Sequence, residues 1–144
     1  MSNETHYEIH TDIAFGDLEL IDIGGMVDAC EKPWFNQSLC TVNQSVVRIG
    51  VIEGEFHWHA HQEEDEFFYV LEGRLLIATR TEGREETVTL EPRQGFLVPR
   101  GVVHRTRAPE RTVMLMVEQD SVVPTGDPGI ESEKACDRDT ESDS

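Results

Sequence analysis

Lysine is nearly missing from this sequence: Lys32 and Lys134 are the only two, and the other ten of its 12 basic residues are arginines. Against them stand 29 Asp and Glu, for a formal charge of −17. A chain so poor in positive charge has no basic patch with which to displace counterions from nucleic acid or from an anionic membrane, and both are excluded as partners. Many acids with few lysines also resembles the composition of proteins from salt-loving microbes, and sets the expectation of a halophilic protein. Long apolar runs are missing too, so no segment reaches the roughly 20 residues of a membrane-spanning helix. The opening Met-Ser-Asn-Glu-Thr-His has neither the basic start nor the apolar stretch of a secretory signal, and a cytoplasmic location is expected. Cysteine is scarce: Cys30, Cys40 and Cys136 show no metal-ligand spacing and are read as reduced thiols. There is no glycine-rich phosphate loop, no Gly-x-Ser-x-Gly elbow and no Cys-His nucleophile pair.

What is present is one domain's worth of β-structure. The 144 residues, 38% of them hydrophobic, suit a single core. Residues 1–12 are polar and read as a flexible arm. Residues 125–144 are charged, turn-rich and almost free of large apolar side chains, so they cannot offset the entropy of ordering and read as a disordered acidic tail. Between them, 13–124 form the body. Residues 17–23 alternate like a strand, and Met26 to Glu31 allow one helical turn before Pro33. From Val46 onward, apolar or β-branched runs at 46–52, 56–61, 66–71, 74–80, 86–90, 96–98, 102–107 and 112–118 predict strands. Turns at Glu53-Gly54, Glu72-Gly73, Glu82-Gly83, Pro92 to Gly95, Pro99 to Gly101 and Pro109-Glu110 separate them. Short strands with turns about every 8–12 residues predict an all-β sandwich or barrel, with at most one or two short helical turns.

Residues 54–73, GEFHWHAHQEEDEFFYVLEG, carry the chemistry. On an extended strand side chains alternate, so His57, His59 and His61 are expected on one face and Phe56, Trp58 and Ala60 on the other. Strand rise puts His59 and His61 about 6.5–7 Å apart at Cα, close enough for both rings to lean onto one ion. Glu66 opens the next strand on the face of Phe68 and Val70, and His104 follows the turn containing Pro99 and Gly101. Three imidazoles and a carboxylate suit Fe, Mn, Ni, Zn or Cu and leave coordination positions open for a ligand. His57 is assigned either an acid/base role beside the ion or, more simply, a hydrogen bond at the rim. Glu63, Glu64 and Asp65 read as solvated turn residues. Phe68, Met114 and Met116 are expected to fill the barrel, Arg105 and Arg107 to face outward, and Arg48 to pair with the acidic surface.

At these residues the sequence resembles the cupins, of the small single-domain conserved-barrel type. Their first motif is glycine, five residues, His-x-His, three or four residues, Glu, six residues and Gly. His59-Ala60-His61, four residues, Glu66, six residues and Gly73 follow it, with Gly54 one place closer to His59 than the motif has it. The second motif continues through Pro-x-Gly, two residues and His, as Pro99-Arg100-Gly101 and His104 do here; Gly95 stands nearer to Pro99 than usual, and Ala108 replaces the customary Asn. The resemblance implies a double-stranded β-helix, a jelly-roll barrel of two antiparallel sheets with a metal near its mouth. It also implies that homodimers are common, through outer strands and N-terminal segments. It implies no one activity, because the superfamily spans dioxygenases, sugar isomerases and epimerases, decarboxylases, lyases, storage proteins and sensors.

Three functions compete on these grounds. The first is a metal-dependent enzyme acting on a small polar or aromatic molecule by isomerase-like or dioxygenase-like chemistry. The second is a non-catalytic barrel that binds or senses a small-molecule ligand through its metal. The third is a structural barrel without metal, which retention of the whole ligand set disfavours.

Overall fold

The computed structural model of the chain describes residues 8–126. It is a jelly roll of eight strands and one short helix. In chain order these are β1 (Ile9–Ile13), α1 (Ile23–Ala29), β2 (Trp34–Val42), β3 (Ser45–Glu55), β4 (Glu66–Glu72), β5 (Leu75–Thr81), β6 (Arg84–Leu90), β7 (Gly95–Val98) and β8 (Val103–Gln119). All eight belong to one hydrogen-bonded network, which does not close on itself.

The 17-residue β8 is its spine. The first part of β8 pairs with β5 and the last part with β4, while β3 runs antiparallel along the other edge. Residues 102–107 and 112–118 were expected as two strands with a turn at Pro109-Glu110; they are one. Between the pairs Ile52↔Thr112 and Gly54↔Ala108, Pro109, Glu110 and Arg111 stand opposite Glu53 alone. This bulge bends β8 and spares Pro109 a ladder position that needs an N–H. The β5–β6 hairpin forms as expected, closed by Glu82 and Gly83, both at positive φ.

Period-two alternation divides the apolar residues into two clusters. Ile52, Phe68, Val70, Ile77, Met114 and Met116 point into the barrel. Leu39, Ile49, Val51 and Val113 point out of it and are covered by α1 through Val27, with Ile21, Ile23 and Met26 packed alongside. The strand expected over 17–23 is therefore absent. Leu18 and Leu20 are exposed, and Asp22 accepts a hydrogen bond from the Gly25 amide (3.1 Å) to cap α1. The helix begins at Ile23 rather than Met26, because its task is to lay Val27 on the outer cluster. The arm expected over 1–12 also needs correction, since Ile9 and His10 already pair in parallel with Asn36 and Gln37 of β2. Of the expected acidic tail, 127–144 lie outside the described residues.

Candidate metal centre

The chain leaves the ladder after Glu55, so the strand expected over 56–61 does not form. A single isolated bridge replaces it: the His59 amide donates to the His104 carbonyl at 2.9 Å, and the His104 amide donates back at 2.8 Å. That reciprocal pair fixes the two imidazoles side by side, with ring centroids 4.4 Å apart. Strict alternation ends with the ladder, so Phe56 does not share a face with Trp58. Its ring lies edge-on to His59 at 5.2 Å, whereas Trp58 packs beneath the Arg80 guanidinium at 3.9 Å.

The second histidine is fixed by the Pro99 to Gly101 turn. Gly101, at φ +83, donates its amide to the His61 carbonyl at 2.7 Å, and the Arg100 amide donates to Asp65 at 2.9 Å. A left-handed backbone at Gly101 is what a glycine allows. Glu66, the first residue of β4, stands opposite Val98 on one side and Glu118 on the other.

Ligand-capable atoms of His59, His61, Glu66 and His104 all lie within 4.8 Å of one another, and all four residues are buried. Glu66 Oε1 is 3.4 Å from His61 Nε2 and 3.3 Å from His104 Nε2. His59 Nδ1 meets the His57 carbonyl at 3.0 Å, and His104 Nδ1 meets the Val102 carbonyl at 2.9 Å. A carbonyl only accepts, so each Nδ1 carries a proton and each Nε2 is the atom turned inward, with a lone pair to offer when the ring is neutral. His61 Nε2, His104 Nε2 and Glu66 Oε1 are buried without a hydrogen-bond partner. Buried polar atoms are rarely left so. Three unpartnered atoms, two ring nitrogens and a carboxylate oxygen, converging on one point fit a divalent cation, and the donor set fits a transition ion.

The electrostatics agree. Burial, reinforced by His104 and His61, pushes the His59 imidazole well below its ordinary value, so it stays neutral and able to ligate. For Glu66, burial alone would raise the carboxyl, but the facing His104 and His61 hold it well below the usual carboxylate range.

Two further residues border this group, Arg48, which sequence reasoning placed elsewhere, and Glu118, which it did not single out. Arg48 was expected at the surface; it is 2% exposed and lines the same cavity as His59 and Glu66. Glu118 lies beside it, its carboxyl raised well above the ordinary range by burial and then by the neighbouring Glu66. Their signal is parity: Arg48 alternates inward with Val46, Gly50 and Ile52, and Glu118 with Met114 and Met116. Glu64, read as a solvated turn residue, is buried and accepts a hydrogen bond from Ser121 Oγ at 2.7 Å. His57 is not part of the group. Its Nε2 donates to the Thr125 carbonyl at 2.7 Å and its ring packs on Phe56.

Comparison with known proteins places this geometry in a family. The cupin domain family matches residues 45–118, from the start of β3 to Glu118 in β8 and across all four clustered residues. The chain is a cupin. A curated relative, the uncharacterised protein YdbB of Bacillus subtilis, is 47% identical over 83 residues, which are 58% of this chain and 71% of the relative. Among solved structures, a cupin-2 domain protein from Shewanella frigidimarina superposes with a TM-score of 0.63 at 29% identity, covering 69% of this cupin and 94% of that chain. Protein NMB1881 from Neisseria meningitidis follows at a TM-score of 0.61 and 20% identity, covering 70% and 99%, and speaks to the fold alone. No helix among the described residues is long and apolar enough to cross a membrane.

Proposed function

We propose that this cupin is a metal-dependent enzyme acting on a small polar or aromatic molecule, with one divalent transition ion (Fe, Mn, Ni, Zn or Cu) held by His59, His61, Glu66 and His104. The observation that carries this reading is the set of buried, unpartnered atoms of His61, Glu66 and His104 facing one another. Such an ion, when bound, supplies Lewis-acid or redox chemistry to a molecule in the cavity.

The chain's own residues supply the rest. The carbonyls of His57 and Val102 hold two rings with Nε2 inward. Trp34, Phe56 and Phe68 give the cavity apolar walls, and Arg48 and Glu118 place polar groups on its lining. His57 can exchange a proton with a molecule at the mouth once it releases the Thr125 carbonyl. Isomerase-like or epimerase-like chemistry on a sugar and dioxygenase-like chemistry are equally compatible with these groups. The full chain, loaded in turn with Fe(II), Mn(II), Ni(II) and Zn(II), is to be assayed for oxygen uptake and for turnover of a sugar and catechol panel. Turnover in at least one metal form, lost in His104→Ala, supports the proposal. Ligand-induced stabilisation with no turnover in any form would favour the non-catalytic binding barrel instead. We further propose a homodimer; a monomeric mass by light scattering at micromolar concentration would refute it.

A further inference from the structure

Arg48 is a buried cation whose environment is incomplete. Its Nη1 donates to Ser38 Oγ and its Nη2 to Asn36 Oδ1, which fix the guanidinium plane from β2. Its Nε lies 3.5 Å from Glu118 Oε2, an ion pair without a hydrogen bond, and both Arg48 Nε and Glu118 Oε1 are buried with no partner. A buried ion pair is weak support for stability, since apolar residues of similar volume often serve as well. An orphaned donor makes it weaker still. The fork is nevertheless held rigid, beside a cavity open at its mouth, with Phe56, Phe68, Met114 and Met116 on the walls.

Charge then selects the occupant. A divalent ion and Arg48 bring three positive charges to the cavity against at most two negative ones from Glu66 and Glu118, so an anionic ligand is favoured over a neutral one. A single guanidinium fork among apolar walls suits one carboxylate on an apolar body. We propose that the ligand of this centre is a small monocarboxylate with an apolar body, its carboxylate received by Arg48 beside the metal and its body against the aromatic and methionine walls. Arg48 is thereby the specificity-determining residue, prealigned by Asn36 and Ser38. This inference rests on the metal-centre reading.

The test is calorimetric titration of the full chain loaded with redox-silent Zn(II), using benzoate, its neutral isostere benzamide, and inorganic phosphate, with zinc content measured on the same samples. Benzoate is expected to bind at least about tenfold more tightly than benzamide, and more tightly than phosphate. Glu118→Gln removes the carboxyl that competes for Arg48 and tightens benzoate further. The double variant Arg48→Met/Glu118→Gln removes the guanidinium together with the carboxyl that faces it. It is expected to bring benzoate and benzamide within about twofold of each other. Equal binding of benzoate and benzamide to wild-type protein holding one zinc per chain overturns the ligand inference alone. A preference that survives in the double variant overturns the role of Arg48. Failure to hold zinc overturns the centre and the ligand with it. Should the double variant not fold, the wild-type comparison and Glu118→Gln decide the matter, and no tightening in the latter counts against Arg48.

Discussion

Glu66 and Glu118 face each other across the β4–β8 ladder, and their surroundings push them apart. Burial first, then the neighbouring Glu66, raises the Glu118 carboxyl well above the ordinary value of 4.5. Glu66, which burial would also raise, is held well below 4.5 by His104 and His61. Two adjacent carboxyls cannot both ionise easily in a buried site, and the imidazoles decide which one does.

Metal-free protein is expected to lose stability as pH falls below 6.5. The folded-state value of His59 lies well below the ordinary 6.5, so below that pH the unfolded chain binds the extra proton and gains free energy relative to the fold. Glu118 works in the opposite sense: its raised folded value means that protonation on acidification favours the fold. Melting temperatures between pH 8 and 5 in excess chelator should fall below 6.5, and fall more steeply in Glu118→Gln. A flat or rising profile in that variant would falsify the assignment of His59 as a buried neutral imidazole.

Removing a single ligand should cost the metal without costing the fold. His59→Ala or His104→Ala is expected to weaken metal affinity by more than the roughly 10–100-fold typical of losing an outer-shell partner. Elemental analysis of untagged protein, with circular dichroism as the control for folding, checks this. Unchanged stoichiometry in either variant refutes the ligand set. Affinity should also drop on acidification through the imidazole range, because a protonated ring cannot ligate.

Arg48→Ala should destabilise by about 3–5 kcal/mol, the usual effect of leaving a buried charge without its partner. Arg48→Met/Glu118→Gln, which leaves neither charge, should cost less despite carrying two changes. Denaturant unfolding measures both. If the single variant is the more stable of the two, the buried pair is not what fixes Arg48 in place.

Molar KCl should raise the unfolding midpoint, because screening relieves self-repulsion among 29 acidic residues set against 12 basic ones. A midpoint that does not rise removes the case for a halophilic protein.

The spacing of the residues made much of this molecule legible. Val46 onward read as short strands, and the pattern of His59, His61, Glu66 and His104 named the four side chains that the fold clusters. Where the reading went astray, a local signal was hidden by a distant partner. β2 escaped notice because Asn36 and Ser38 break its apolar pattern; they face the barrel to hold Arg48, which lies on another strand. Residues 17–23 have strand-like alternation, yet the outer sheet face demanded a cover, and a capped helix supplied it. Arg48 and Glu118 themselves look like ordinary surface charges until their inward parity is counted.

By itself the sequence determined the identity of the four side chains that cluster and the all-β character, because both follow from residue type and short spacing, which act within a few residues along the chain. Only the tertiary structure decided how those side chains meet. Convergence came from one isolated backbone bridge between His59 and His104 rather than from a regular strand. It likewise decided that a cation and a second carboxylate would stand beside them. Which strands become neighbours depends on burying two faces of one sheet at once, and no local pattern encodes that choice.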